Sequence, residues 1–115
     1  MKIHFIILNK DIKEDYFAEA TFEKDVIKFN KNGVTNEFTI INDNTISLKR
    51  IGEMKYTQVF ELNKKIKGNY EIMGLKINIS ALTTKISINE KGFFIEYDHY
   101  IDDLYEGKIK VYLKY

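Results

Sequence analysis

From residue 67 to the carboxyl end the apolar side chains recur at every second position, a period that only an extended strand turns into one continuous face. Leu75, Ile77 and Ile79 alternate with Lys76, Asn78 and Ser80, and Thr84, Ile86 and Ile88 alternate with Lys85, Ser87 and Asn89. Phe93, Ile95, Tyr97, His99 and Ile101 then alternate with Phe94, Glu96, Asp98 and Tyr100. Last come Ile109, Val111 and Leu113, set between Lys108, Lys110, Tyr112 and Lys114. One face meets a core and the other meets water, as in antiparallel sheet, and the stretch reads as four consecutive strands. Around Ala81, Leu82 and Thr83 the alternation changes phase, which a bulge or a short turn accommodates and which leaves Thr84 on the face of Ile79.

Earlier segments repeat this grammar over shorter runs. Residues 3–8 form a strand rich in branched and aromatic side chains, with Phe5 on one face and His4 on the other. Residues 11–24 fit either a helix, through Ile12, Tyr16 and Ala20, or a strand, through Tyr16, Ala18, Ala20 and Phe22; the strand is the favoured reading. Asn30, Lys31, Asn32 and Gly33 mark a turn, as do Asn42, Asp43 and Asn44, and residues 63–68 read as a lysine-rich turn ahead of Tyr70, Ile72 and Gly74. Asp102 and Asp103 suit a further reversal, and Glu14 with Asp15 reads as a solvated turn. Eight to ten short strands with no long helix and no internal repeat predict an all-β fold. Residues 1–115 make one domain, a single antiparallel β-barrel, because closure removes the exposed edges a small sheet would otherwise carry.

Composition excludes more than it assigns. Eighteen basic and seventeen acidic side chains leave a net charge of +1, so no global field draws the chain to nucleic acid. Lys108, Lys110, Tyr112 and Lys114, with Lys76 and Lys85 nearby, could track a single strand of nucleic acid, but lysines on an exposed strand face more simply keep it soluble. Zero cysteines rule out disulfides and thiolate chemistry. The apolar run near the amino terminus is too short for a signal-peptide core, and no run has membrane length; the expectation is a cytoplasmic chain with no membrane partner. The two histidines, His4 and His99, have no ligand at metal-binding spacing. No nucleophile, carboxylate pair or glycine-rich phosphate loop has a catalytic setting, so the reading leans away from an enzyme and names no cofactor.

Several short motifs, in order, resemble the YwiB-like family of small bacterial proteins. They are the glycine turn from Arg50 to Met54, Gln58-Val59-Phe60, Tyr70 followed by Gly74, the Thr83-Thr84 pair, and the strand with Gly92, Ile95 and Tyr97. They cover roughly the last two-thirds of the chain. The resemblance implies a calycin-like barrel, distantly lipocalin-like in shape, and implies no activity.

The open question for function is whether the interior is filled or hollow. Phe5, Phe22, Phe38, Phe60, Tyr70, Phe93 and Tyr97 are the inward rings, enough to fill a barrel. Arg50, Gln58, Tyr70, Thr84, Tyr97 and His99 add more polar tips than a sealed core keeps. His99 either bonds a backbone carbonyl or tyrosine hydroxyl within the core or points into a cavity and orients a ligand. The leading expectation is a barrel binding a small amphipathic molecule through Arg50, Gln58, Tyr70, Tyr97 and His99. The alternative is a non-enzymatic interaction or assembly module that pairs through an outer sheet face or an edge strand.

Overall fold

A computed structural model of the chain describes residues 1–10 and 13–115. Among these, ten strands follow one another: β1 (Lys2–Leu8), β2 (Lys13–Glu23), β3 (Val26–Lys31), β4 (Val34–Asn42), β5 (Thr45–Ile51), β6 (Met54–Glu61), β7 (Lys65–Ile72), β8 (Leu75–Asn89), β9 (Gly92–Ile101) and β10 (Leu104–Lys114). Each pairs antiparallel with its neighbours in sequence, and β1 pairs with β10 from His4↔Lys114 to Leu8↔Lys110, closing the barrel. Every described strand thus has two neighbours. Two-residue hairpins make much of this possible. Asn32 and Gly33 (φ 52° and 79°), Met73 and Gly74 (52° and 79°), and Asp102 and Asp103 (50° and 63°) all take the left-handed conformation that matches the twist of the flanking strands.

Three local expectations are corrected and one open choice is decided. Residues 75–89 form one long strand, in which the phase change is taken by a bulge between Thr83 and Lys85 and not by a turn. The bulge buries Thr83 fully and turns Thr84 to Glu96, whose carboxylate and backbone oxygens accept from the Thr84 hydroxyl at 3.0 and 3.2 Å; Glu96 belongs to the outer set of β9, so Thr84 is not an interior group. Lysines 65 and 67 with Gly68 lie inside β7 and the turn is confined to residues 62–64, whereas Gly74 turns the chain. Phe22 is exposed and meets Tyr115 edge-on at 5.7 Å, since β2 keeps only Ala20 well covered near its end. The strand expected over 11–24 is found from Lys13 onward; Asp11 and Ile12 lie outside the described residues.

The core occupies one half of the barrel. Phe38, fully buried, packs against Phe93 at 5.0 Å, Phe5 at 5.8 Å and Phe29 at 6.3 Å, and Phe5 meets Phe29 at 5.3 Å. Ile27, Ile46 and Leu113 complete a plug with almost no accessible surface. Rings of this size, stacked or tilted, fill the lumen at native density and dominate the burial energy.

A half-hollow barrel and its candidate ligand site

The other half of the lumen is incompletely filled by side chains. A cavity of about 470 Å³ lies there, floored by buried Phe5, Tyr97 and Val111 and rimmed by half-exposed residues near strand ends, among them Glu14, Met54, Tyr70 and Ile101. The graded exposure means that the space opens to solvent at that end. Ten strands enclose more room than the eight whose interior side chains can fill. Register then decides which half stays open. His99 on β9 stands opposite Ala81 and Gly107, two residues too small to fill the volume beside it. Where the plug has a phenylalanine on one strand after another, the open half has slender isoleucines: Ile77, Ile79, Ile101 and Ile109.

Against this apolar wall stands a lateral row of polar side chains set by pairing: Asn36 beside Arg50, Arg50 beside Tyr56, and Tyr56 beside Tyr70, across β4 to β7. Asn36 is fully buried but does not line the cavity; the other three do. Tyr56 meets Tyr70 edge-on at 6.2 Å, and its hydroxyl hydrogen-bonds that of Tyr97 from the opposite wall. Burial raises the phenols first of all, pushing Tyr97 up to about 12 and Tyr56 well above the ordinary phenol value. The nearby Arg50 charge opposes the rise at both. Two protonated hydroxyls therefore face the lumen at neutral pH. Burial likewise pushes His99 down, against the opposing charge of Glu106, so the imidazole is held neutral. Its ring lies edge-on to Tyr97 at 6.4 Å, and among the described residues its nitrogens have no hydrogen-bond partner.

Arg50 is the sole full positive charge on the lining. Its side chain is 19% exposed, its Nε is buried without a partner among the described residues, and the nearest carboxylate among them, Glu14, stands 3.9 Å from the guanidinium. Glu14 is thus a rim residue of β2 rather than part of a solvated turn, while Asp15 points outward and bonds the imidazole of His4 at 2.5 Å. Four of the five residues singled out from the sequence, Arg50, Tyr70, Tyr97 and His99, line this one cavity. Gln58 does not. Its amide donates to the backbone oxygens of Val59 and Ile66 at 3.0 and 2.9 Å, beyond the point where the β6–β7 ladder stops at Thr57↔Asn69. Gln58 therefore carries the seam between two strands whose backbones have parted.

Sequence reasoning missed Tyr56 and Glu14 as lining residues. Tyr56 was within reach, since it alternates with Gln58 and Phe60 on one face. Three of the five lysines of the basic strip are partnered: Lys85, Lys108 and Lys110 surround the nearly buried carboxylate of Glu96 within 4.0 Å, and Lys108 also meets Asp98 at 3.3 Å. Among the described residues no cluster of three histidines or carboxylates can hold a metal ion, and no helix is long and apolar enough to cross a membrane.

Comparison with known proteins bears on the fold. The model of a protein family described as a domain of unknown function (DUF1934) matches residues 13–113. The crystal structure of the YwiB protein from Bacillus subtilis is similar with a TM-score of 0.63 and 10% sequence identity, over 98% of this chain and 87% of that one. No curated protein sequence matches the chain.

Proposed function

We propose, from the premise that this chain belongs to the DUF1934 family, whose description assigns no function, that it is a calycin-like barrel binding a small amphipathic molecule non-covalently. A single observation carries this reading: the interior is plugged at one end and open at the other, and the open end combines apolar walls with the Arg50 guanidinium. A volume of about 470 Å³ falls within the roughly 300–1,000 Å³ of ordinary small-molecule sites. Sealed cores do not keep such a space, because each void forfeits the contacts that filling it would gain. Tyr70, Tyr97, His99 and Arg50 supply the polar anchors. Binding without catalysis fits a site where no nucleophile stands beside a base. The lack of cysteine suits residence in a reducing cytoplasm, which belongs to the same reading.

Native mass spectrometry of gently purified protein tests the proposal together with titration by a polarity-sensitive fluorescent dye. The expected result is one small molecule or one dye per chain, displaced by a Val111→Trp substitution that fills the floor of the cavity. Dye binding that survives Val111→Trp in a folded protein contradicts a luminal site, and a chain that takes up neither dye nor copurifying molecule contradicts the function.

A further inference from the structure

Resting on that reading and narrowing it, we infer that the molecule the cavity takes is a small carboxylate, its charged end on the Arg50 guanidinium and its hydrocarbon body against Ile79, Ile101 and Val111. Arg50 is the single arginine among eighteen basic side chains. Everywhere else the chain uses lysine. A guanidinium differs from an ammonium in being planar, weakly hydrated and always charged, which suits a half-buried position facing a planar anion. Lysine would do as well on a solvated surface; it would not do as well here.

Among the described residues, the surroundings of Arg50 leave its charge only loosely matched. Glu14, 3.9 Å away, is beyond hydrogen-bond length and itself 37% exposed at the rim. The Nε is sealed off from the cavity as well as from water, so what an incoming carboxylate meets is the partly exposed amino end of the guanidinium, which lines the cavity. Among the described residues, the rest of the lining brings no second carboxylate to the guanidinium. Tyr56 and Tyr97 are protonated and bring no negative charge of their own; with the Tyr56 hydroxyl donating to that of Tyr97, the pair keeps one proton that can be donated to an anion. A neutral ligand would leave the guanidinium as it is, and a cationic one would be repelled by it. Below the polar level the walls are aliphatic, so the anion must be attached to an apolar body of modest size rather than be a free inorganic ion. Glu14 is the counterweight, holding part of the guanidinium's attraction while the site is empty.

Calorimetric titration with octanoate, octan-1-ol and octylammonium tests this, because the three share one apolar body and differ in charge. The wild-type chain is expected to bind octanoate about ten- to a hundredfold more tightly than octan-1-ol, the range of a charge-assisted hydrogen bond, with octylammonium weakest. Arg50→Gln abolishes the preference and leaves octan-1-ol binding in place. Glu14→Gln, at the exposed rim, increases octanoate affinity by releasing the guanidinium, and keeps the test decisive if Arg50→Gln fails to fold. Equal binding of octanoate and octan-1-ol overturns the anionic assignment while leaving the ligand-binding cavity intact. So does a Glu14→Gln variant with unchanged octanoate affinity. Failure of all three probes to bind overturns both the assignment and the cavity's role.

Discussion

At the scale of single residues, two side chains that look alike in the strand pattern have separate tasks. Gln58 and His99 both point inward from alternating positions, yet Gln58 spends its amide on two backbone oxygens and His99 spends its nitrogens on nothing within the described chain. Gln58→Ala should therefore lower stability by about 1–3 kcal/mol, the cost of leaving buried carbonyls unpaired, and leave ligand affinity unchanged. Chemical denaturation alongside calorimetry checks both halves. His99 gives a pH signature. Its folded-state pKa is pushed below the ordinary 6.5, so the unfolded chain binds the proton more readily. The stability contributed by the neutral ring is complete above pH 6.5 and declines as pH falls below that value. His99→Phe should flatten this part of the stability profile measured by thermal melts between pH 7.5 and 5; an unchanged slope would mean that the imidazole titrates freely.

At the scale of elements, the β6–β7 seam is the point where backbone pairing gives way to side-chain support. Gly68 faces Gln58 there, and a Cβ added at Gly68 would lie 2.4 Å from the Gln58 Oε1 and 2.6 Å from the Thr57 oxygen. Gly68→Ala should cost about 1–3 kcal/mol, the usual range for overpacking, and raise amide exchange in β7 ahead of the other strands. Exchange spread evenly over the barrel would show that the seam is no weaker than the rest. The alternation of residues 93–101 and 109–113 made β9 and β10 legible, because a two-residue period has only one structural meaning when sustained. The single strand β8 was not legible as one. A bulge and a turn produce the same one-residue phase slip, and only the pairing of Thr83 with Tyr97 and of Lys85 with Glu96 separates them. Lysines 65 and 67 misled for a related reason, since outward strand positions and turns favour the same polar residues.

At the scale of the molecule, the barrel divides its interior between stability and vacancy. The plug of Phe5, Phe29, Phe38 and Phe93 supplies the packing, which frees the opposite half from having to pack. Phe38→Ala should then cost about 3–5 kcal/mol, the range for a large buried ring, with little change in ligand affinity so long as the protein stays folded. An equal loss of affinity and stability would mean that the two halves are one cooperative unit. The candidate site was legible to the extent that Arg50, Tyr70, Tyr97 and His99 could be placed on inward faces. That they converge around empty space was not, because the emptiness depends on cross-strand pairing of His99 with Ala81 and Gly107, which no local pattern encodes.

The division of the lumen is most directly tested by an experimental electron-density map of the chain that resolves the rings of Tyr56, Tyr97 and His99. The expected map shows these rings at the walls, with solvent or ligand density between them and the isoleucines of β8 and β9. Side chains that fill this volume, with no space left above Phe5, would contradict it.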